Sequence, residues 1–81
     1  MKAESNIKPT NYEIENIQND RCDVILYTNI QEIKEDENTR YTFDVYRLNI
    51  CYNSNIHDEI INNYQKYIEI AKIDKNKYSL L

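Results

Sequence analysis

Not one of the 81 residues is glycine. That absence restricts the chain more than any motif it carries. Turns that need positive φ must be built from Asn or Asp, the non-glycine residues that best tolerate the left-handed region. Gly-rich phosphate loops and Rossmann fingerprints need close backbone approach at Gly, so both are excluded. Asn, Ile, Lys and Tyr are abundant instead, a bias of the kind an AT-rich coding sequence produces. At this length the chain is one domain at most, residues 1–81, and with 41% hydrophobic residues its core must be compact.

Residues 1–10 read as a polar lead-in, with Pro9 steering Lys8 towards extended geometry. Residues 11–53 read as a three-stranded antiparallel meander. The first strand, Asn11 to Ile17, puts Tyr12 and Ile14 on one face and Ile17 out of phase by one residue. Gln18 to Arg21 supplies a turn, using Asn19 and Asp20 where glycine might sit. In the second strand, Cys22, Val24, Leu26, Thr28 and Ile30 alternate with Asp23, Ile25, Tyr27, Asn29 and Gln31. The first set suits a buried face, while Ile25 and Tyr27 leave the second only partly wet. Lys34 to Arg40 contains no apolar residue and reads as a solvated hairpin loop.

The third strand, Tyr41 to Asn53, loses its phase. Tyr41, Phe43 and Val45 share one face, whereas Leu48, Ile50 and Tyr52 share the other. A β-bulge near Tyr46–Arg47 would turn the second set towards the core. The alternative is a sheet with two apolar faces, the second carrying Tyr residues.

Residues 54–73 change period. Ile56, Ile60, Tyr64, Tyr67, Ile68 and Ala71 recur at helical spacing, with Ile61 widening the stripe. Ser54 or Asn55 can cap this helix; Asp58 and Glu59 at its start and Lys72 and Lys75 at its end suit the macrodipole. Residues 74–81 read as fraying helix or tail. The expected fold class is therefore α+β: a small three-stranded antiparallel meander packed by one C-terminal helix, which two or three strands need for stability.

Charge and chemistry narrow the function classes. A net charge of −4 argues against a nucleic-acid backbone as the main partner, and simple solubility accounts for it. No apolar run approaches the roughly 18 residues that span a bilayer, and MKAESNIKPTNYE lacks an apolar signal core, so a cytoplasmic location is expected. Cys22 and Cys51 become mirror images if the hairpin centres between Asp36 and Glu37, but two reduced thiols are the expectation. Without a CxxC pair there is no zinc ligand set. His57 is the single histidine and has no placed nucleophile or carboxylate partner, so it reads as a solvated helix-start residue. Glu35, Asp36 and Glu37 lack the spacing and the glycine of a calcium loop. No catalytic residue, cofactor or metal is expected.

Tyrosine is the compositional signal, eight against one phenylalanine. Tyr is enriched at protein interfaces because it gives contact area at low entropic cost. Ile25 and Tyr27, on the sheet face away from the helix, and Tyr46, if the bulge aims it there, are the candidate interaction surface. That face or a sheet edge can form a homodimer; equally, the tyrosines can simply half-bury on a small monomeric sheet.

The runs NYEIEN (Asn11–Asn16), YTNIQEI (Tyr27–Ile33), YTFDVYRL (Tyr41–Leu48) and NNYQKYIEIAK (Asn62–Lys72) carry a resemblance. Together they resemble the N-terminal part of small proteins encoded in tail-gene regions of Firmicute phages and prophages. There a Tyr-Asp-X-Tyr-Arg-like strand, here Phe43-Asp44-Val45-Tyr46-Arg47, precedes a helix with aromatic residues. Such relatives continue into a longer helical tail with a Thr-Asp-Trp-like segment, which this sequence lacks. The resemblance implies a non-enzymatic protein-interaction module, a minor tail component or tail-assembly factor, with phage tail proteins as partners and a virion-associated or host-cytoplasmic location. The acidic loop Lys34–Arg40 supports another expectation: a small inhibitor or regulator that binds a basic host protein.

Overall fold

In the computed structural model, which describes residues 1–73, a four-stranded antiparallel sheet is covered on one face by two short helices. The strands are β1 (Lys2–Ser5), β2 (Tyr12–Gln18), β3 (Arg21–Glu35) and β4 (Asn38–Cys51), followed by α1 (Ile56–Asn62) and α2 (Tyr64–Ile73). Their order across the sheet is β1-β4-β3-β2. The expected meander is therefore β2, β3 and β4. The expected tail and Lys75 lie outside the described residues.

Glycine's absence leaves a clear imprint. The described residues at positive φ are Asn16 (51°), Asn19 (54°), Asn29 (54°) and Asp36 (54°). Asn19 turns β2 into β3, and Asp36 opens the two-residue turn that joins Glu35 to its partner Asn38. Asn16 and Asn29 sit at register shifts in β2 and β3. Both bulges are pinned alike, by a side-chain amide donated to an aspartate on the neighbouring strand. Asn16 Nδ2 reaches Asp23 Oδ2 at 2.9 Å, and Asn29 Nδ2 reaches Asp44 Oδ2 at 2.7 Å. Both Asn29→Gly and Asn29→Ala remove the amide held by Asp44. Glycine also relieves the positive-φ cost and should change stability little, whereas alanine keeps that cost without the hydrogen bond and should lose about 1–2 kcal/mol in urea denaturation.

The phase slip of the third strand has a different origin from the bulge expected near Tyr46–Arg47. β4 pairs with β3 without interruption from Asp44 to Cys51. The irregularity lies in β3 instead, where Asn29 and Ile30 fall between the pairs Thr28↔Asp44 and Gln31↔Thr42. The sheet is two-faced. Leu26, Val24 and Cys22 lie opposite Tyr46, Leu48 and Ile50 on the helix side; Tyr27 and Ile25 lie opposite Val45 and Arg47 on the outer side. β4 thus gives its first apolar set to the outer face and its second to the helices.

On the helix side, Cys22, Val24, Leu26 and Leu48 pack with Ile56, Ile60, Ile68 and Ala71 in one buried cluster. On the outer side, Ile25 is only 3% exposed and Phe43 only 6%. Ala3 of β1 stands across from Phe43, and the Tyr27 ring meets Phe43 edge-on at 5.4 Å. β1 corrects the expected polar lead-in. KAES carries no apolar alternation, and what makes it a strand is the free edge of β4. Met1 O accepts from Val45 N–H at 2.7 Å, and Arg40 Nη1 lies 3.0 Å from Glu4 Oε1.

Two further corrections follow from pairing. The expected loop Lys34–Arg40 is mostly strand, with only Asp36 and Glu37 between Glu35 and Asn38. Ladder hydrogen bonds and the Arg40–Glu35 ion pair at 2.7 Å hold a segment with no apolar residue. The resulting long hairpin gives the molecule a 46 Å principal dimension. The expected single helix is broken at Asn63, whose φ of −118° and ψ of 21° leave the helical region. Both the main-chain N–H and the side-chain amide of Asn63 donate to Glu59 O, at 3.0 and 2.9 Å. The apolar stripe runs unbroken through this break, so spacing alone does not reveal it. Neither expected cap bonds through its side chain to a helix N–H: Asn55 stands at the N-cap without one, while Asn53 Oδ1 accepts from Asn55 N–H at 2.8 Å.

Candidate interaction groove

The helix pair is tied to the sheet by tyrosine hydroxyls. Tyr64, at the start of α2, reaches the main-chain carbonyls of Tyr27 in β3 and of Asn11, just before β2, the latter at 3.1 Å. Tyr67 donates to Glu59 Oε1 at 3.0 Å and so bridges α2 to α1 across the Asn63 break. Where α1 leans over β2, these attachments leave an open groove of about 870 Å³. Its apolar walls include Ile14 and Ile17 of β2, Ile61 of α1, and Tyr52. Ile17, Ile61 and Tyr52 are 51%, 61% and 37% exposed.

At one end of the groove the Tyr12 hydroxyl and His57 Nδ1 lie 2.6 Å apart, with their rings tilted at 5.8 Å. His57 is exposed, as expected of a helix-start residue, but it has a partner that sequence spacing could not nominate, because Tyr12 is 45 positions away. A Tyr–His contact orients both side chains. By itself it supplies no nucleophile–base–orienter series. Ile61, expected to widen the buried stripe, instead lines this groove.

The candidate surface Ile25, Tyr27 and Tyr46 does not share one face. Ile25 and Tyr27 are on the outer face, and Ile25 is buried. The Tyr27 hydroxyl donates to Glu13 Oε1 at 2.8 Å. Tyr46 is on the helix face, half-buried against the main cluster, with Lys72 Nζ 6.0 Å from its ring centre. Cys22 and Cys51 are likewise parted. The β3 bulge offsets the hairpin by one residue, so Cys22 faces Ile50 and Cys51 faces Arg21. Cys22 is buried on the helix side, Cys51 is exposed on the other, and both are free. Burial raises the Cys22 thiol above its ordinary pKa, as does neighbouring Asp23. Among the described residues no cluster of three or more His, Cys, Asp and Glu side chains is placed to hold a metal ion.

Two hydroxyls carry a pH signature. Burial, and then donation to Glu13 and Glu59 respectively, pushes Tyr27 and Tyr67 up to about 12. Because the folded values are raised, the stabilisation is complete below the unfolded value of about 10 and is lost as pH rises towards 12. Urea titrations should therefore show stability falling between pH 10 and 12, with a shallower fall in Tyr27→Phe and Tyr67→Phe. Asp23 behaves oppositely. Hydrogen bonds from Asn49 and Asn16 hold its carboxyl below the usual range. Its contribution is present above about pH 4 and is lost as pH falls through its lowered folded value.

Among the described residues no helix is long and apolar enough to cross a membrane. Set against known proteins, the chain matches no family model, no curated protein and no solved structure, so its fold and groove stand on their own geometry.

Proposed function

We propose that this chain is a non-enzymatic protein-interaction module, acting as a minor tail component or tail-assembly factor of a Firmicute phage or prophage. The observation that carries the interaction reading is the groove between β2 and α1, where Ile17 and Ile61 are left more than half exposed. Exposed apolar side chains gathered in one concavity are characteristic of contact sites. The phage context is supported by the resemblance, which covers most of residues 7–73, and implies a virion-associated or host-cytoplasmic location. The test is affinity capture of the tagged chain co-expressed with the tail-region products of its own genome. A stable complex with one of them is expected; failure to retain any would count against the reading.

A second reading has its own support. The long hairpin ends in Glu35, Asp36 and Glu37, all exposed. Three carboxylates at a projecting tip suit a regulator that binds a basic host protein. Ionic strength separates the two readings. Binding through the tip should weaken steeply from low to high salt, whereas binding through the apolar groove should change little.

A further inference from the structure

The sheet has two outer edges, and they are unequal. β1 spans four residues and mixes Lys2 with Glu4. β2 is longer, borders the apolar groove, and within YEIENIQ carries acidic residues and no basic one. Its hydrogen-bonding phase is fixed by Tyr27 N–H donating to Asn11 O at 2.9 Å. Antiparallel ladders alternate, so Asn11, Glu13 and Glu15 direct their main-chain groups at β3, and those of Tyr12 and Ile14 point away from the sheet. The Thr10 hydroxyl takes the Tyr12 carbonyl at 3.0 Å. The outward N–H groups and the Ile14 carbonyl form a short template for pairing.

We propose that this edge takes up an extended segment of a partner protein as a fifth strand, a segment in which apolar and basic residues alternate. The inference rests on the interaction reading and gives it a place and a recognition chemistry. Apolar side chains of the added strand would enter the groove beside Ile14 and Ile61, and the alternate residues would stand on the outer face across from Glu13 and Glu15. The Glu15–Arg47 pair is long at 3.4 Å and exposed, so Glu15 keeps capacity for a second cation. A second copy of the chain fits less well. In-phase antiparallel pairing of β2 with itself, centred on Glu13, Ile14 or Glu15, sets glutamate against glutamate.

The probe is a fluorescein-labelled peptide, Lys-Val-Lys-Val-Lys-Val-Lys, followed by anisotropy and by amide exchange of the full chain. It should bind about tenfold more tightly than its Glu-Val counterpart, as two cross-strand charge pairs allow. The Ile14 amide should gain protection, and N-methylation of the peptide at alternate residues on its β2-facing side should abolish binding. The double variant Glu13→Lys with Glu15→Lys should invert the peptide preference. If that variant fails to fold, Ile61→Lys, at an exposed helical position, should weaken the Lys-Val peptide about tenfold with the sheet untouched.

Absence of binding, equal binding of both peptides, or binding without protection at Ile14 would overturn the proposal. So would protection of Ile14 in the free protein. Concentration-dependent protection would assign the edge to a second copy, and concentration-independent protection would assign it to residues 74–81. A tail-region partner that still binds Ile61→Lys and the double variant would leave the interaction reading standing and this site wrong. Loss of every partner would remove the reading, while the peptide result would still judge the edge.

Discussion

Ile60→Ala should cost about 3 kcal/mol or more and leave the domain close to its unfolding threshold. Ile60 is fully buried in α1, within the cluster that joins both helices to β3 and β4. Removing three buried carbons loses their transfer free energy and leaves a cavity, typically about 2–5 kcal/mol for a large aliphatic residue cut to alanine. A domain of this length has a total stability of about 4–12 kcal/mol. The site has little room to collapse, because α1 is seven residues long and anchored at its C-terminal end by Asn63 and Tyr67. Urea denaturation followed by far-UV circular dichroism checks this. Ile61→Ala, one position on but in the groove, should fall within about 0.5 kcal/mol of the parent.

The second large effect belongs to the outer face. Phe43→Ala should destabilise by about 3 kcal/mol, although among the described residues no helix covers that side of the sheet. Phe43 is 6% exposed, packed edge-on against Tyr27 and standing across from Ala3 of β1. A sheet with one core face and one wet face would put this substitution among surface changes of about ±0.5 kcal/mol. The same reasoning bears on self-association. Ile25 is already buried and the Tyr27 hydroxyl already has an acceptor, so the outer face offers little unspent apolar area for a dimer. Tyr27→Glu places a carboxylate beside Glu13 and should destabilise the monomer itself; sedimentation of the parent protein shows whether it associates at all.

What could be read from the sequence followed from patterns that a single segment contains. The alternation from Cys22 to Thr28 and the stripe from Ile56 to Ala71 each name their buried face without reference to other elements, and both faces are buried together. The need for Asn or Asp at positive φ is a local rule, and the four described positions obey it. What could not be read depends on pairing across the sheet. β1 has no apolar periodicity and exists because β4 has a free edge. Residues 34–40 look like a loop because ladder hydrogen bonds leave no trace in hydropathy. The Asn63 break conserves the stripe and shows only in main-chain angles. The bulge belongs to β3, whereas the broken pattern is in β4, so the sequence pointed at the wrong strand. The groove was legible only in part. Tyr12, Ile14 and Ile17 form a recognisable strand, but its meeting with His57 and Ile61 joins residues such as Tyr12 and His57, 45 positions apart.

The assignment of faces, and with it the groove and the open edge of β2, depends on the β3–β4 register, since a one-residue slip would exchange the two sides of the sheet. The direct test is the set of cross-strand Hα–Hα nuclear Overhauser effects in the isolated protein. The Tyr52 N–H to Asp20 carbonyl bond at 2.8 Å fixes the ladder's phase, so Asp23–Asn49, Ile25–Arg47 and Tyr27–Val45 are the closely approaching, non-hydrogen-bonded pairs. Strong Hα–Hα effects at those three pairs are the predicted result. Effects at Cys22–Cys51, Val24–Asn49 and Leu26–Arg47 instead would mean that β3 has no bulge at Asn29, and would contradict the account.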